Sequence, residues 1–529
     1  MARAHHPIPN PAEREGTAQT WSLPPLYWGL LALLVGAKLF IHVLTSGSYG
    51  YFRDELYFLD CGRHLDFGYV DDAPMIALVS RLALMLGGSL YVVRILAALA
   101  GAAKVALTMG IARELGGRRF AQGLAGLCVL AAPIFLGIDS ILNVSGFEPL
   151  FWMGCVFVLI RIIRTGNSRL WPWFGLIAGL GLENKYSMLV FGLALLIGLL
   201  LTPLRKELLK PWIWLAAGIA LLLFLPTLLW QVNHGFPLIE DQENIRRMGK
   251  NVVLGPWAFV KEQIAFLHPL MFPIWLTGFL SLLLTRGSRL RSLAWLYAAL
   301  LTLMILLHAK NYYLAAIYPM LFAAGAVAIE GWLGRQSWSR SRVWPQAAMS
   351  TVIALSMLML IPALLPVLPP EKLHAYQDFL HMTPTKTEVH HSGPLDQRLG
   401  DQFGWDQLAA ETAQIFSALS PEERAHTAIF ASNYGEAGAI NQFGPALGLP
   451  TAICAHQAHS LWGTPTFEGD TFICLGSDRE GLEKAFRSVE QVADHHHPWG
   501  MAEENGPIFI GRGLKVPLKQ MWPKLKHWD

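Results

Sequence analysis

At 529 residues, 53% hydrophobic and only 15% charged, the chain is too apolar for an ordinary soluble protein, where about a quarter of residues are charged. A net charge of +3 is too small to draw nucleic acid, and that partner is excluded. The five cysteines form no CxxC or other metal-type spacing, while nineteen Trp and thirteen Tyr suit the interfacial belts of a membrane protein.

The first residues are polar and Pro-rich, with no short apolar core ahead of a small-residue cleavage site. Residues 1–23 are therefore expected to remain as a cytoplasmic tail. Apolar runs near the ~20-residue spanning length then recur at 24–46, 91–112, 120–138, 147–163, 171–184, 186–203, 212–232, 263–285, 293–309, 313–333 and 344–367. They predict a polytopic α-helical membrane domain of about 11 spans over residues 24–368. Between the first two spans lies a long loop, 47–90. Its stretch "PMIALVSRLALMLGG" is interrupted by Arg81 and too short to span, so it reads as a helix lying along the membrane surface.

Alternate loops differ in charge. One set carries Arg113, Arg118 and Arg119, then Arg161, Arg164 and Arg169, then Arg205, Lys206 and Lys210, then Arg286, Arg289 and Arg291, and finally Arg335, Arg340 and Arg342. Short basic loops stay in the cytoplasm, and the N-terminus joins them. The acidic set, including 47–90, faces outward. An odd number of spans then puts the C-terminal region outside.

After Pro369 the apolar runs stop. "TAIFAS", "TAICAH", "TFICLG" and "PIFIGR" read as buried strands, and "WDQLAAETAQIFSAL" and "REGLEKAFRSVEQVA" as helices. Residues 369–529 are thus expected to form an extracytoplasmic α/β domain. Cys128 and Cys155 read as inert packing. Cys454 and Cys474, on two predicted strands, would pair only in an oxidising compartment.

The chemistry concentrates beside the first span. "YFRDELYFLDCGRHLDFGYVDDAP" holds Asp54, Glu55, Asp60, Asp66, Asp71 and Asp72. Asp60, Asp66, Asp71 and Asp72 read as solvated charges. Asp54 and Glu55 lie among aromatics, where burial raises a carboxylate's pKa and suits it to proton transfer. Charges also fall at the outer ends of later spans: Asp139, Asn143 and Glu148 in "GIDSILNVSGFEPLFW", Lys185 in "GLENKYSM", and Lys310 in "HAKNYYLAAIYP". Charges beside spans are costly and point to function. The structural alternative is a local pair such as Glu183 with Lys185. Bases and cations on one membrane face suit an anion, plausibly a phosphate.

The segment "YFRDELYFLDCGRHLDFGYVDDAPMIALVSRLA", followed by "SLYVVRILAALAGAAKVALTMGIARELGG", resembles the start of the GT-C glycosyltransferases. It is most similar to the bacterial branch of family 39, related to protein O-mannosyltransferases and aminoarabinose transferases. "NVSGFEPLFW" and "KNYYLAAIYPMLFAAGA" resemble its second outward loop and a late-span Lys-Tyr-Pro segment. Where aminoarabinose transferases carry Lys-Pro-Pro, this chain has "DDAPM", which weakens lipid A as acceptor.

The resemblance implies transfer of a sugar from a polyprenyl-phosphate donor to a hydroxyl acceptor (lipid, glycan or protein) on the outer face, with inversion. Asp54 is then the general base and Glu55 its alternate. Lys185, Lys310 and Arg94 bind the donor phosphate. Asp139, Asn143, Glu148, Tyr312 and Tyr313 bind substrate. Asn433, Tyr434, Glu436, His456, His459 and Trp462, near strand ends of the tail domain, are candidates for acceptor binding. No cofactor is required, because lysines can serve the phosphate; the acid pairs leave room for a divalent metal. The His390-His391 and His495–His497 tracts are read as ordinary loop residues. A lipid-linked sugar transporter or flippase is the rival reading. It does not account for the long acidic loop or the folded tail.

Overall fold

The computed structural model describes residues 23–285, 287–335, 343–382, 388–389, 392–463, 467 and 469–529. Most of the expected cytoplasmic tail, the basic residues Arg286, Arg340 and Arg342, and His390 and His391 lie outside the described residues.

The first span is α1 (Trp28–Thr45), and the loop after it folds into α2 (Arg53–Arg63) and α3 (Met75–Met85). α3 covers the stretch read as a surface helix and leaves Leu78, Leu82 and Met85 exposed. Next come α4 (Leu90–Glu114), α5 (Arg119–Ala131), α6 (Pro133–Ile138), α7 (Val144–Thr165), α8 (Trp171–Asn184), α9 (Met188–Leu200) and α10 (Pro211–Asn233). The helices α11 (Pro237–Met248) and α12 (Pro256–Phe266) precede α13 (Phe272–Leu284), α14 (Arg291–Leu306), α15 (Tyr318–Arg335) and α16 (Val343–Leu364).

Every predicted span falls on one of these helices. Among the described residues six helices are long and apolar enough to cross a membrane alone, and the protein is a multi-pass membrane protein. Two spans are interrupted where prolines stand. The run 120–138 breaks between α5 and α6, because Ala132 precedes Pro133 and is held extended. The run 263–285 turns at His268, whose φ is +74°, and the helices on either side of Pro269 meet at 94°.

Close packing comes from small residues. A Cβ on Gly278 of α13 would run into the Leu321 carbonyl of α15, and one on Gly325 into the Ile274 carbonyl of α13. Charge is also used inside the bundle. Asp139, after α6, lies 2.8 Å from the Lys38 ammonium of α1 and pairs closely with Lys104 of α4. All three are essentially inaccessible, and Gly101 makes room for them, since a side chain there would strike Asp139 and Lys38.

The C-terminal region is the expected α/β unit. Its strands are β1 (Thr427–Ala431), β2 (Ile453–Cys454), β3 (Thr471–Leu475), β4 (Phe486–His495) and β5 (Gly506–Leu514), in the order β2-β1-β3-β5-β4. β1 runs parallel to both neighbours, and β5 antiparallel to β3 and β4. Two expectations are corrected. The helix predicted over "REGLEKAFRSVEQVA" ends at Ala485, and Phe486 onward is β4, because pairing with β5 outweighs the helical spacing of its apolar residues. Cys454 and Cys474 lie on β2 and β3, separated by β1, which is too far for a disulfide.

The tail domain docks on the segment between α1 and α4 through the helix Tyr434–Phe443, which packs against α2. Gly438 permits the approach: a Cβ would come within 2.7 Å of the Leu56 Cβ. Asp60 on α2, expected to be solvated, is fully buried in this joint. It accepts from Arg63 (2.7 Å) and from Asn441 of the tail helix (2.7 Å), and lies 3.0 Å from the His459 ring.

Candidate active site

At the start of α2 the Glu55 side chain reaches back to accept from the Phe52 N–H at 2.9 Å, which leaves Asp54 in the first turn, where the helix dipole favours a carboxylate. The Tyr434 hydroxyl donates to Asp54 Oδ1 at 3.0 Å. Among the described residues Oδ2 has no hydrogen-bond partner.

The loop ahead of α3 brings further carboxylates to the same place. Tyr57 donates to Asp71 Oδ1 at 2.8 Å, and the Asp72 carbonyl accepts from the Tyr69 N–H at 3.2 Å. Asp71 and Asp72 keep some solvent contact yet sit in dense protein. Burial first, and then the charge of Asp241 on α11, pushes Asp71 up to about 7. Asp72 is raised well above the carboxylate range by burial and by Asp71 and Asp54. Repulsion and desolvation together make a partly protonated cluster at neutral pH.

Cations face it. Lys185 ends α8, donates to Ser145 Oγ (2.9 Å) and Glu148 Oε2 (3.2 Å), and stands 3.7 Å above the Tyr313 ring. Glu148 on α7 also accepts from Ser187. Lys310 pairs with Glu388 at 3.2 Å. Its burial lowers its pKa, but Tyr313, Glu388 and Asp54 outweigh that and raise it. Tyr313 is therefore the common neighbour of both lysines, with Tyr312 set edge-on against it.

Asp54, Glu148, Lys185, Lys310, Tyr312, Tyr313 and Tyr434 thus converge. Other expected residues do not. Arg94 spends its donors on Glu55, the Ser46 and Gly50 carbonyls and Gln402, at 2.6–3.4 Å, and is 1% exposed. Glu55 is 0% exposed and also accepts from the Leu142 N–H at 2.8 Å. Neither has capacity for a phosphate or a substrate proton, so both are scaffold. Asn143 caps α7 by accepting from the Gly146 N–H (2.8 Å) and donating to Ile138 (2.7 Å). Asp139 belongs to the buried lysine triad. Glu183 accepts from Thr227 (2.9 Å), so the pair expected with Lys185 is replaced by Glu148.

In the tail, Asn433 and Glu436 form the capping box of the helix that carries Tyr434. Burial and Glu504 push Glu436 up to about 8. His459 is taken by Asp60, and Trp462 stacks on His64 with ring centroids 4.2 Å apart. His456 stacks on Tyr434, one step behind Asp54. The residues overlooked in sequence are Asp71, Asp72 and Asp241; the aromatic flanks of "FGYVDDAP" were the available signal. Among the described residues, the carboxylates Asp54, Asp71 and Asp72 do not bring three ligand atoms together as a metal requires, whereas His456, His527 and Asp529 do, their ligand atoms within 4.8 Å of one another.

Residues 71–230 match the profile of the dolichyl-phosphate-mannose-protein mannosyltransferase family. No curated protein sequence matches the chain. Among solved structures the chain is similar to ArnT from Cupriavidus metallidurans. In the apo state the TM-score is 0.59 at 16% identity, covering 91% of this chain and 98% of that one. Bound to undecaprenyl phosphate it is 0.58 at 14% identity, covering 92% and 98%. The fold is that of the GT-C membrane glycosyltransferases.

Proposed function

We propose that this protein transfers a sugar from a polyprenyl-phosphate donor to an acceptor hydroxyl at the outer face of a bacterial inner membrane, inverting the anomeric centre. The observation that carries the reading is one cleft holding a carboxylate with an uncommitted oxygen, Asp54, and two lysines that share Tyr313. The family match and the lipid phosphate bound by the similar ArnT structure support a lipid-linked donor.

An acceptor hydroxyl is a weak nucleophile. Asp54 takes its proton as the new bond to the sugar carbon forms and the bond from that carbon to the phosphate oxygen breaks on the opposite face. The charge left on the lipid phosphate is stabilised by Lys185 and Lys310. Tyr312 and Tyr313 offer an aromatic wall to the sugar. Glu148 holds Lys185 in place. The basic loops lie at the ends of α4, α7 and α9 away from this cleft, which supports a cytoplasmic N-terminus and an outward tail.

Purified protein is incubated with radiolabelled undecaprenyl-phosphate sugars and native membrane extract. Wild type should label a product. Asp54→Asn should lose about 10²–10⁴-fold in rate, and Lys185→Gln about 10²–10³-fold. Undiminished transfer by Asp54→Asn removes Asp54 as base. Label carried across vesicles without a covalent product would make the protein a transporter.

A further inference from the structure

From the geometry we infer that Tyr434 of the tail domain is a positioning residue for Asp54, so that the active site is completed by the extracytoplasmic domain. This rests on the glycosyl-transfer reading of Asp54.

The arrangement is built rather than incidental. The Asn433–Glu436 capping box fixes the turn after β1, with the Asn433 side chain accepting from the Gly435 N–H (2.8 Å) and the Glu436 N–H (3.0 Å). Gly435 and Gly438 let this helix press onto Arg53 and Leu56 of α2. The Tyr434 ring is then held on several sides: Tyr57 at 4.8 Å between centroids, His456 at 4.9 Å, and the Arg53 guanidinium at 5.4 Å. So clamped, its hydroxyl has one donor direction, and it is aimed at Asp54 Oδ1.

A base must present its free oxygen within hydrogen-bond reach of the proton it removes, and a rotating carboxylate does so only part of the time. One oxygen tied to Tyr434 leaves the other presented to the acceptor. The other groups acting on Asp54 are Arg53 on α2, Asp71 and Asp72 on the loop before α3, and Lys310 and Tyr312 ahead of α15. None of these gives it a hydrogen bond among the described residues.

The test is a double-mutant cycle of Tyr434→Phe and Asp54→Asn in the full-length protein, read by transfer kinetics and by thermal midpoint. Phenylalanine keeps every ring contact and removes only the donor. With the undecaprenyl-phosphate sugar that labels best, Tyr434→Phe should lower kcat about tenfold to a hundredfold. KM for donor and acceptor should stay within about twofold. In the Asp54→Asn background the second change should cost nothing more. Wild-type kcat in Tyr434→Phe, a loss carried by the acceptor KM, or equal losses in both backgrounds would each overturn the inference. If wild type itself transfers no label, the transferase reading falls, and the thermal cycle still decides the contact: coupled midpoints support it, additive ones refute it.

Discussion

Asp71 shows how far a residue's neighbours decide its chemistry. Its carboxyl is pushed up to about 7, so the folded protein binds a proton there that the unfolded chain releases near pH 4. The stabilising contribution of that proton is complete below about pH 4 and is lost as pH rises toward 7. Asp71→Asn keeps an acceptor for Tyr57 and removes the titration. Its thermal midpoint should be higher than wild type at pH 7.5, and the difference should vanish at pH 4. Equal midpoints at both pH values would show that Asp71 is an ordinary ionised carboxylate. That Asp54, Lys185 and Lys310 would come together was legible because a charge beside an apolar run has few harmless explanations. Asp71 and Asp72 were not, because their enclosure depends on α11, more than 160 residues downstream in sequence.

At the scale of elements, apolar runs announced the helices, and prolines and glycines set how they break and meet. α13 and α15 touch backbone to backbone at Gly278 and Gly325. Gly325→Val would force them apart and disturb the segment that carries Tyr313 into the cleft. The variant is expected to lose about 1–3 kcal/mol of stability, seen as a lower thermal midpoint in detergent, with reduced transfer. An unchanged midpoint would mean that the helices can separate freely. The misread segment after Ala485 fails for a related reason. Phe486, Val489 and Val492 recur every third residue, which suits a helix and not the alternation of a strand, and the extended form is decided by the partner strand β5.

For the whole molecule, the sequence disclosed two regions and their order but not how firmly they join. The membrane helices and the tail region meet at a joint in which Asp60 is enclosed by Arg63, Asn441 and His459 and the tail helix lies on α2. An aspartate in a polar loop carries no mark of a partner that is 380 residues away. The same holds for Glu55 and Arg94. Their pairing was invisible in either segment alone, and only the closed structure shows that both are spent on architecture.

The buried triad of Lys38, Lys104 and Asp139 has a consequence for biosynthesis. The chain is made from its N-terminus, so two spans carrying ammonium groups enter the membrane before their shared counter-charge exists. A lysine in mid-helix costs about 2.5–3.5 kcal/mol on insertion, so the early spans are expected to be held less firmly in the membrane until Asp139 joins them. Nascent chains halted near residue 130 should be extracted from membranes more readily than those halted near 170, and Asp139→Asn should erase that difference. Equal extraction at both lengths would show that the lysines are accommodated without it.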